Sequence, residues 1–576
     1  MSFKSFYDYI VIGAGTAGGV IAKKLTDDRS TSVLLLEAGT NMTKEMSSPS
    51  ALDALNLSND NTFSFNQLSK TEQALGRQLK LSGGRAIGGS SSHNAMYAVR
   101  GSKQLYNEWA NLVGDQWGYE SVLDLFIENE TYTGNSQNPE KRGTNGPIFV
   151  RQQLIPNEGL IQTLATATAE VLDIPIVKDY NTGIRDCTFF KSQFLQEEVD
   201  GELFRSSTAT GYLNRSIVTQ GNPFHPDGHG VHGRKLTIFA KTTVNRVLFT
   251  RRRHELLAVG VEFVRDGVSE RAYARNGVIV SAGNNSSVIL QRSGIGRSTD
   301  LAKAGISTLV ESPNVGHNFQ TQYYVGMGVE VETSRLLQVI QADPNQPSVL
   351  GAFKEVSTPG RRLQLTGFPV PIFVPNSDVH VNNWNLDPAR SSNVMSFAIL
   401  DLIPVSKGTI LAAHSDPDAD PAIEFKPLDH PNDLNYVVDQ YIETYKIMVK
   451  ARELDPDGLY KVVYPPEAIF ENPDEAEKRR QLANYARASY NIFSHYSGQC
   501  KMGVSIEEGV VDGYLNVFGT KNLMVADLSI SPIIPDGNTS QPAQMIGLNA
   551  VRFIQEQCRH RCLDDRELLF HKNYLL

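Results

Sequence analysis

Cysteine is scarce in this chain: 576 residues contain only Cys187, Cys500, Cys558 and Cys562. Thiols so few and so irregularly spaced build neither a disulfide scaffold nor a zinc framework. Cys558 and Cys562 stand at i and i+4 on an expected C-terminal helix, where a mutual disulfide is geometrically awkward. Long apolar runs are missing as well, none approaching the ~18 residues that a membrane-spanning helix requires. Excess charge is small, since 54 Lys and Arg against 63 Asp and Glu leave −9. The two signs are interspersed, without the basic stripe that nucleic-acid binding demands. No repeat or low-complexity tract appears. What remains, 40% hydrophobic and 20% charged residues, is a globular composition that excludes a disordered tail or a collagen-like fibre. A chain of this size holds a core without staples. At about 150 residues per domain the length suggests several units, although one enzyme of two intertwined domains fits equally well. The opening MSFKSFYDYIVIGAG runs straight into a strand with no charged-then-apolar leader. With free thiols, the expectation is a cytoplasmic protein, in which the sequon Asn41-Met42-Thr43 means nothing beyond chance.

The first forty residues are the most legible. Tyr9-Ile10-Val11-Ile12 is a short apolar run that reads as a buried parallel strand. Gly13-Ala14-Gly15-Thr16-Ala17-Gly18 follows, then small and apolar residues at helical spacing through Leu25, then a second strand, Ser32 to Leu36, ending on Glu37. Strand, glycine turn, helix, strand and acid together make a dinucleotide-binding unit. Gly13, Gly15 and Gly18 allow a tight turn, close approach of a pyrophosphate and close packing of helix on strand. The helix N-terminus offers that pyrophosphate donors and a positive dipole. Glu37, 19 residues past Gly18, stands where a carboxylate accepts hydrogen bonds from a ribose 2′-OH. A second glycine-rich stretch, Gly83 to Met96, lets backbone pass close to a flat, bulky ligand.

Farther along, Leu236 to Ala240, Val244 to Phe249, and Gly277 to Val280 running into a glycine turn read as strands. Short strands (Tyr323 to Val325, Ile372 to Val374) then alternate with helices from Asn432 to Leu454 and Pro473 to Ala488. Asn522 to Asp527 is strand-like, and Gln541 to Arg559 reads as a final helix. His225-Pro226-Asp227-Gly228-His229-Gly230-Val231-His232 has metal-like spacing, but it sits in a Gly/Pro-rich stretch and reads as an exposed or lid loop. No metal site is expected.

These motifs converge on a resemblance to the glucose–methanol–choline (GMC) flavoprotein oxidoreductases over nearly the whole length. Four blocks carry it: GAGTAG with Glu37; GGRAIGGSSSHNAMY; SAGNNSSVILQRSGIG (281–296); and SHYSGQCKMG (494–503) through VADLSISPIIPDGNTSQPAQMIG (525–547). The resemblance implies an α/β fold: a discontinuous Rossmann-like FAD-binding domain plus an α+β substrate domain with an antiparallel sheet. The expected boundaries are 1–155, 225–310 and 510–576 for the first and 156–224 and 311–509 for the second. It also implies FAD as cofactor and oxidation of an alcohol, a primary or aromatic alcohol being the expected class, with O₂ or an artificial dye as acceptor. Oligomeric state is open.

His495 and Asn538, 43 residues apart, match the family's catalytic pair. Hydride leaves an alcohol carbon only if negative charge can build on oxygen. An imidazole of ordinary pKa near 6.5 can take the hydroxyl proton, and an amide can donate to the developing alkoxide. The resemblance further implies Thr16, Ala17 and Ala38 along the ADP half, and Arg85, Gly89, Ser90, Asn94 and Ala95 along the pyrophosphate and ring. It sets Val244 beside adenine, Asp527 beside the ribityl or pyrophosphate region, and the helix after Asn538 aimed at the pyrimidine ring. His93 departs from the apolar residue common before this Asn. Ser-Ser-His-Asn resembles the choline-oxidase type, in which this histidine is bonded to the flavin 8α-methyl carbon. SAGNNSSVILQRSGIG is one residue short of the usual block, and VGHNFQTQ (315–322) lacks the Asp-His that often closes VGENLQDH. Two alternatives share the fold: a hydroxynitrile lyase, which typically carries two histidines at the pair and is therefore disfavoured by Asn538, and a flavin photodecarboxylase, which relies on other pocket residues. Phe373, Tyr323, Tyr324, Trp384 and Phe397 are available as apolar walls, without an indication of which face the pocket.

Overall fold

The computed structural model describes residues 5–41, 43–155, 158–221, 227–345, 348–356, 360–370 and 393–573. The expected strand at Ile372–Val374, the residues Phe373 and Trp384, His225 and the side chain of Cys562 lie outside what is described. Two sheets organise the rest. The first contains β1 (Ser5–Ile12), β2 (Val33–Leu36), β3 (Leu236–Phe239), β4 (Thr242–Arg252), β5 (Glu255–Arg265) and β6 (Val268–Val280), in the order β3-β2-β1-β6-β5-β4. A two-residue strand, Gly228–His229, extends the β3 edge. The pairs β3–β2, β2–β1 and β1–β6 are parallel, and helix α1 (Gly18–Leu25) is the crossover between β1 and β2. Ile10, Val11, Leu34, Leu35 and Val278 are fully buried, which is why these strands read as unbroken apolar runs rather than alternating ones.

The second sheet contains β7 (Tyr323–Glu330), β8 (Gly351–Glu355), β9 (Arg362–Phe368) and β10 (Val394–Asp401), antiparallel in the order β7-β10-β9-β8. Cys187–Phe189 and Ile176–Val177 extend the β8 edge, and Lys461–Tyr464 and Asn491–Ile492 pair with β7. Period-two alternation separates its faces. Tyr323, Val325, Met327, Val329, Leu363, Leu365, Phe397 and Ile399 pack in one cluster with α2 (Gly159–Leu172), α3 (Pro431–Leu454) and α4 (Glu475–Ser489). Tyr324, Phe368, Ala398 and Leu400 form another on the opposite face. At roughly 25 cal/mol per Å² of apolar surface buried, the helix-covered face supplies the main stabilisation of this half.

The chain then returns to the first sheet through β11 (Leu523–Val525), parallel to β6, and ends in α5 (Ser540–Asn573). This helix runs past the expected end at Arg559 because neither Gly nor Pro follows Gly547 to interrupt it. Among the described residues no helix is long and apolar enough to cross a membrane.

Candidate active site

The carboxyl ends of β1, β2, β6 and β11 lead respectively into Gly13, Glu37, Ser281 and Asp527, so one end of the parallel sheet gathers the first and last motifs of the chain. Ligands bind at this end of such sheets. Gly13 has φ +96°, and a Cβ there would collide with the carbonyl oxygen of Ser281. The second glycine stretch docks on the first: Gly89 has φ +52°, and a Cβ on it would lie 2.7 Å from Gly15 Cα. Glu37 is buried, and its two carboxylate oxygens accept from the backbone N–H groups of Ala14 (2.9 Å) and Gly39 (2.8 Å). The acid thus clamps the glycine turn, a role its sequence spacing did not reveal, while each oxygen keeps a lone pair for a further donor. Burial pushes the Glu37 carboxyl up to about 7, against the pull of those N–H groups and of Arg85.

Gly13, Gly15, Thr16, Ala38, Arg85, Ser90, Asn94 and Ala95 keep accessible surface along this edge, whereas Ala17 and Gly18 are buried under it. Val244 lies at the start of β4, its carbonyl accepting from Arg292 (3.2 Å). Asp527 is occupied within the protein, accepting from the N–H of Gly283 (2.8 Å), the hydroxyl of Ser286 (2.6 Å) and the N–H of Ser529 (2.9 Å). That carboxylate ties the shortened SAGNNSS block to the C-terminal one. His93 is 6% exposed, and its Nε2 is buried without a hydrogen-bond partner. Burial, then the charge of Arg205, hold it down at about 4, a neutral imidazole at physiological pH. Arg205, which no motif indicated, braces the same turn by donating to the carbonyl and side-chain oxygens of Asn94 (2.6 and 2.9 Å). A flavin dinucleotide fits this donor set: a helix N-terminus for the pyrophosphate, two closely apposed glycine turns, and one orphaned imidazole nitrogen.

His495, beside the second sheet, and Asn538, just before α5, are brought together. Gln320 pairs with Ser497 and Tyr323 with Ile492, five steps on the histidine strand against three on its partner. The surplus bulges around Ser494, which takes a left-handed backbone (φ 55°), and bulges of this kind re-aim side chains next to functional sites. His495 Nε2 comes to 3.4 Å from Asn538 Nδ2. Its Nδ1 lies 2.6 Å from Gln322 Oε1, and Phe493 meets the ring edge-on at 5.0 Å. Burial alone lowers the imidazole to about 3, although His495 and Asn538 as whole residues are only partly buried. Gln364 on β9 donates from Nε2 to Asn538 Oδ1 at 3.2 Å.

The faces of the second sheet decide the available walls. Tyr324 and Phe493 stand edge to face at 5.8 Å on the side of His495. Tyr323 and Phe397 point the other way, into the helix-covered core, where Tyr323 stacks on Tyr490 at 4.8 Å. Gln322, Gln364 and Arg205 were not foreseen as site residues; only the departure of VGHNFQTQ from its pattern drew attention to the segment holding Gln322. His229 and His232 belong to no cluster of three metal-ligating side chains among the described residues.

Two family models, each described as GMC oxidoreductase, match residues 7–324 and 404–547. The oxygen-dependent choline dehydrogenase of Acinetobacter baumannii is 30% identical over 568 residues, covering 94% of this chain and 95% of that protein. The mitochondrial choline dehydrogenase of Homo sapiens is 29% identical over 588 residues, covering 96% and 90%. Among solved structures, pyridoxine 4-oxidase from Mesorbium loti superposes with a TM-score of 0.77 over 95% of this chain and 98% of that one at 22% identity, a likeness of fold.

Proposed function

Because this chain belongs to the GMC oxidoreductase family, we propose that it oxidises a primary or aromatic alcohol to the carbonyl compound, with His495 as base and Asn538 as donor to the alkoxide. The chain is an oxidoreductase acting on CH–OH groups, with FAD as cofactor. FAD, when bound, supplies the hydride acceptor. The observation that carries the reading is the pair itself: His495 Nε2 and Asn538 Nδ2, 3.4 Å apart, are a proton acceptor and a hydrogen-bond donor that one hydroxyl oxygen can meet together. Deep placement keeps the imidazole neutral and ready to accept. The Asn538 amide is not basic enough to take up the hydroxyl proton, so the base role falls on His495 alone, and Tyr324 and Phe493 offer an aromatic wall beside it. The segments 1–155, 225–310 and 510–576 are assigned to the cofactor and 156–224 and 311–509 to the substrate.

The purified yellow enzyme, mixed anaerobically with a panel of primary and aromatic alcohols, is expected to bleach with at least one of them. Persistent colour with every alcohol would sink the reading, and a lyase on this fold would also stay yellow. Return of colour in air would identify O₂ as acceptor; return only with a quinone-like dye would identify a dehydrogenase.

His93 is assigned as the point of covalent attachment to the 8α carbon of the flavin. Its Nε2 is buried, neutral and unpartnered, which suits a nucleophile held against one atom. Such a link would replace an imidazole N–H of His93 and a C–H of the flavin methyl group by a C–N bond, the two electrons and two protons released going to the acceptor that serves turnover. After acid precipitation the yellow colour is expected in the protein pellet, and in the supernatant for His93→Ala. Colour in the wild-type supernatant overturns the assignment.

A further inference from the structure

We propose that Gln322 is a positioning residue that holds His495 in the tautomer protonated on Nδ1, so that Nε2 is the bare nitrogen facing the alcohol. The inference rests on the reading of His495 as base and adds what makes it one. Gln322 is fully buried. Its Nε2 donates to two main-chain carbonyls, Pro535 at 2.7 Å and Gly537 at 3.1 Å. Carbonyl oxygens only accept, so the amide cannot be turned over without facing oxygen on oxygen twice. Its Oε1 is thereby directed at His495 Nδ1, 2.6 Å away. An amide oxygen cannot donate, so Nδ1 carries the hydrogen. A neutral imidazole has one N–H, which leaves Nε2 as the lone pair.

The far side of the ring agrees. Asn538 accepts from Gln364 on Oδ1 and therefore presents its NH₂ group to His495 Nε2, which suits an unprotonated nitrogen. Gln322 also sets spacing, because the carbonyls it holds flank Asp536 in the loop that leads into Asn538. Gln320 in the same segment donates to the Pro532 carbonyl (3.3 Å) and accepts from the Ile534 N–H (3.3 Å). Thus VGHNFQTQ, which lacks the Asp-His that often closes the family pattern, holds the two catalytic loops at one separation. The bracket is uncharged: His495 faces Gln322, Asn538 and the Phe493 ring, with no charged group among the described residues contributing to its proton affinity.

The test is the ¹⁵N spectrum of histidine-labelled holoenzyme, with His495 assigned by loss of its signals in His495→Gln. Protonated Nδ1 and bare Nε2 are expected in the wild type; a proton on Nε2 overturns the proposal. In Gln322→Met the single-tautomer pattern should be lost. Its rate of flavin reduction should fall roughly 10²-fold, the cost of misplacing a reacting group by about 1 Å, with KM and flavin content little changed. Unchanged tautomer and rate would also overturn it. Gln322→Glu supplies a second arm, because a carboxylate at Nδ1 stabilises the imidazolium. It should keep the Nδ1 proton and move the acid limb of kcat/KM to higher pH, and a limb that stays put counts against the proposal. The tautomer needs no substrate to be read, so an enzyme inert to every alcohol would sink the proposed function while leaving the Gln322 result to stand or fall by itself.

Discussion

His495→Ala is expected to slow alcohol oxidation by about 10²–10⁴-fold, the range for loss of a general base, with the flavin still bound. Without the imidazole, the hydroxyl proton has only water to go to, and the hydride must leave from a neutral alcohol. Flavin binding should survive, because the residues proposed to hold it lie in the turns after β1, β2 and β6 and in the SSHN segment, away from His495 in sequence. Added imidazole should restore part of the rate by entering the vacated space. The pH profile of the wild type supplies a second check. Burial lowers the His495 pKa to about 3, well under the ordinary imidazole value, and a base works only when unprotonated. Activity should therefore persist as pH falls through about 6.5 and be lost only at markedly lower pH. Stopped-flow flavin reduction measures both; a variant within a few fold of wild type would falsify the base assignment.

A large loss of stability is expected for Glu130→Ala, at about 3–5 kcal/mol, the cost of removing one partner from a buried ion pair. Glu130 is fully buried and bridges two buried arginines. Arg100 Nη2 stands 2.5 Å and Arg142 Nε 2.8 Å from its Oε1, and Gly143 N–H donates to the same oxygen at 3.1 Å. Removal leaves two guanidinium groups in the core with Asp179, 3.1 Å from Arg142, as the remaining carboxylate contact. Net stabilities are only about 5–15 kcal/mol, so such a loss is a large fraction of the total. The effect reaches the site, because Gln541 in the first turn of α5 donates to Glu130 Oε2 at 3.3 Å, three residues after Asn538. Earlier flavin release on heating should accompany the lower melting temperature. Glu130→Gln, which keeps the shape and removes the charge, should fall between. An unchanged melting temperature in Glu130→Ala would show that the arginines find other partners.

The first sheet was legible along much of its length because its signals are local. Apolar runs buried on both faces, a glycine turn between strand and helix, and an acid at a fixed distance all lie within forty residues. The second sheet was not. Its central strands join residues 323–330, 394–401, 362–368 and 351–355, and no short-range spacing announces which of them pair. The chain itself therefore could not say that Tyr324 faces the site while Tyr323 faces the helices. One residue of register inverts that assignment.

By itself, the sequence determined the parallel nucleotide-binding half, the family resemblance, and the two residue types, imidazole and amide, on which alcohol oxidation draws. The tertiary structure decided how they are placed. Glu37 closes the glycine turn, Arg205 braces the SSHN segment, and Gln322 connects His495 to the loop before Asn538. None of these three follows from composition or periodicity, since each depends on which carbonyl, N–H or ring nitrogen from a distant part of the chain arrives within hydrogen-bonding distance. Hydrogen-bond sense is a property of paired atoms, and only the folded chain pairs them.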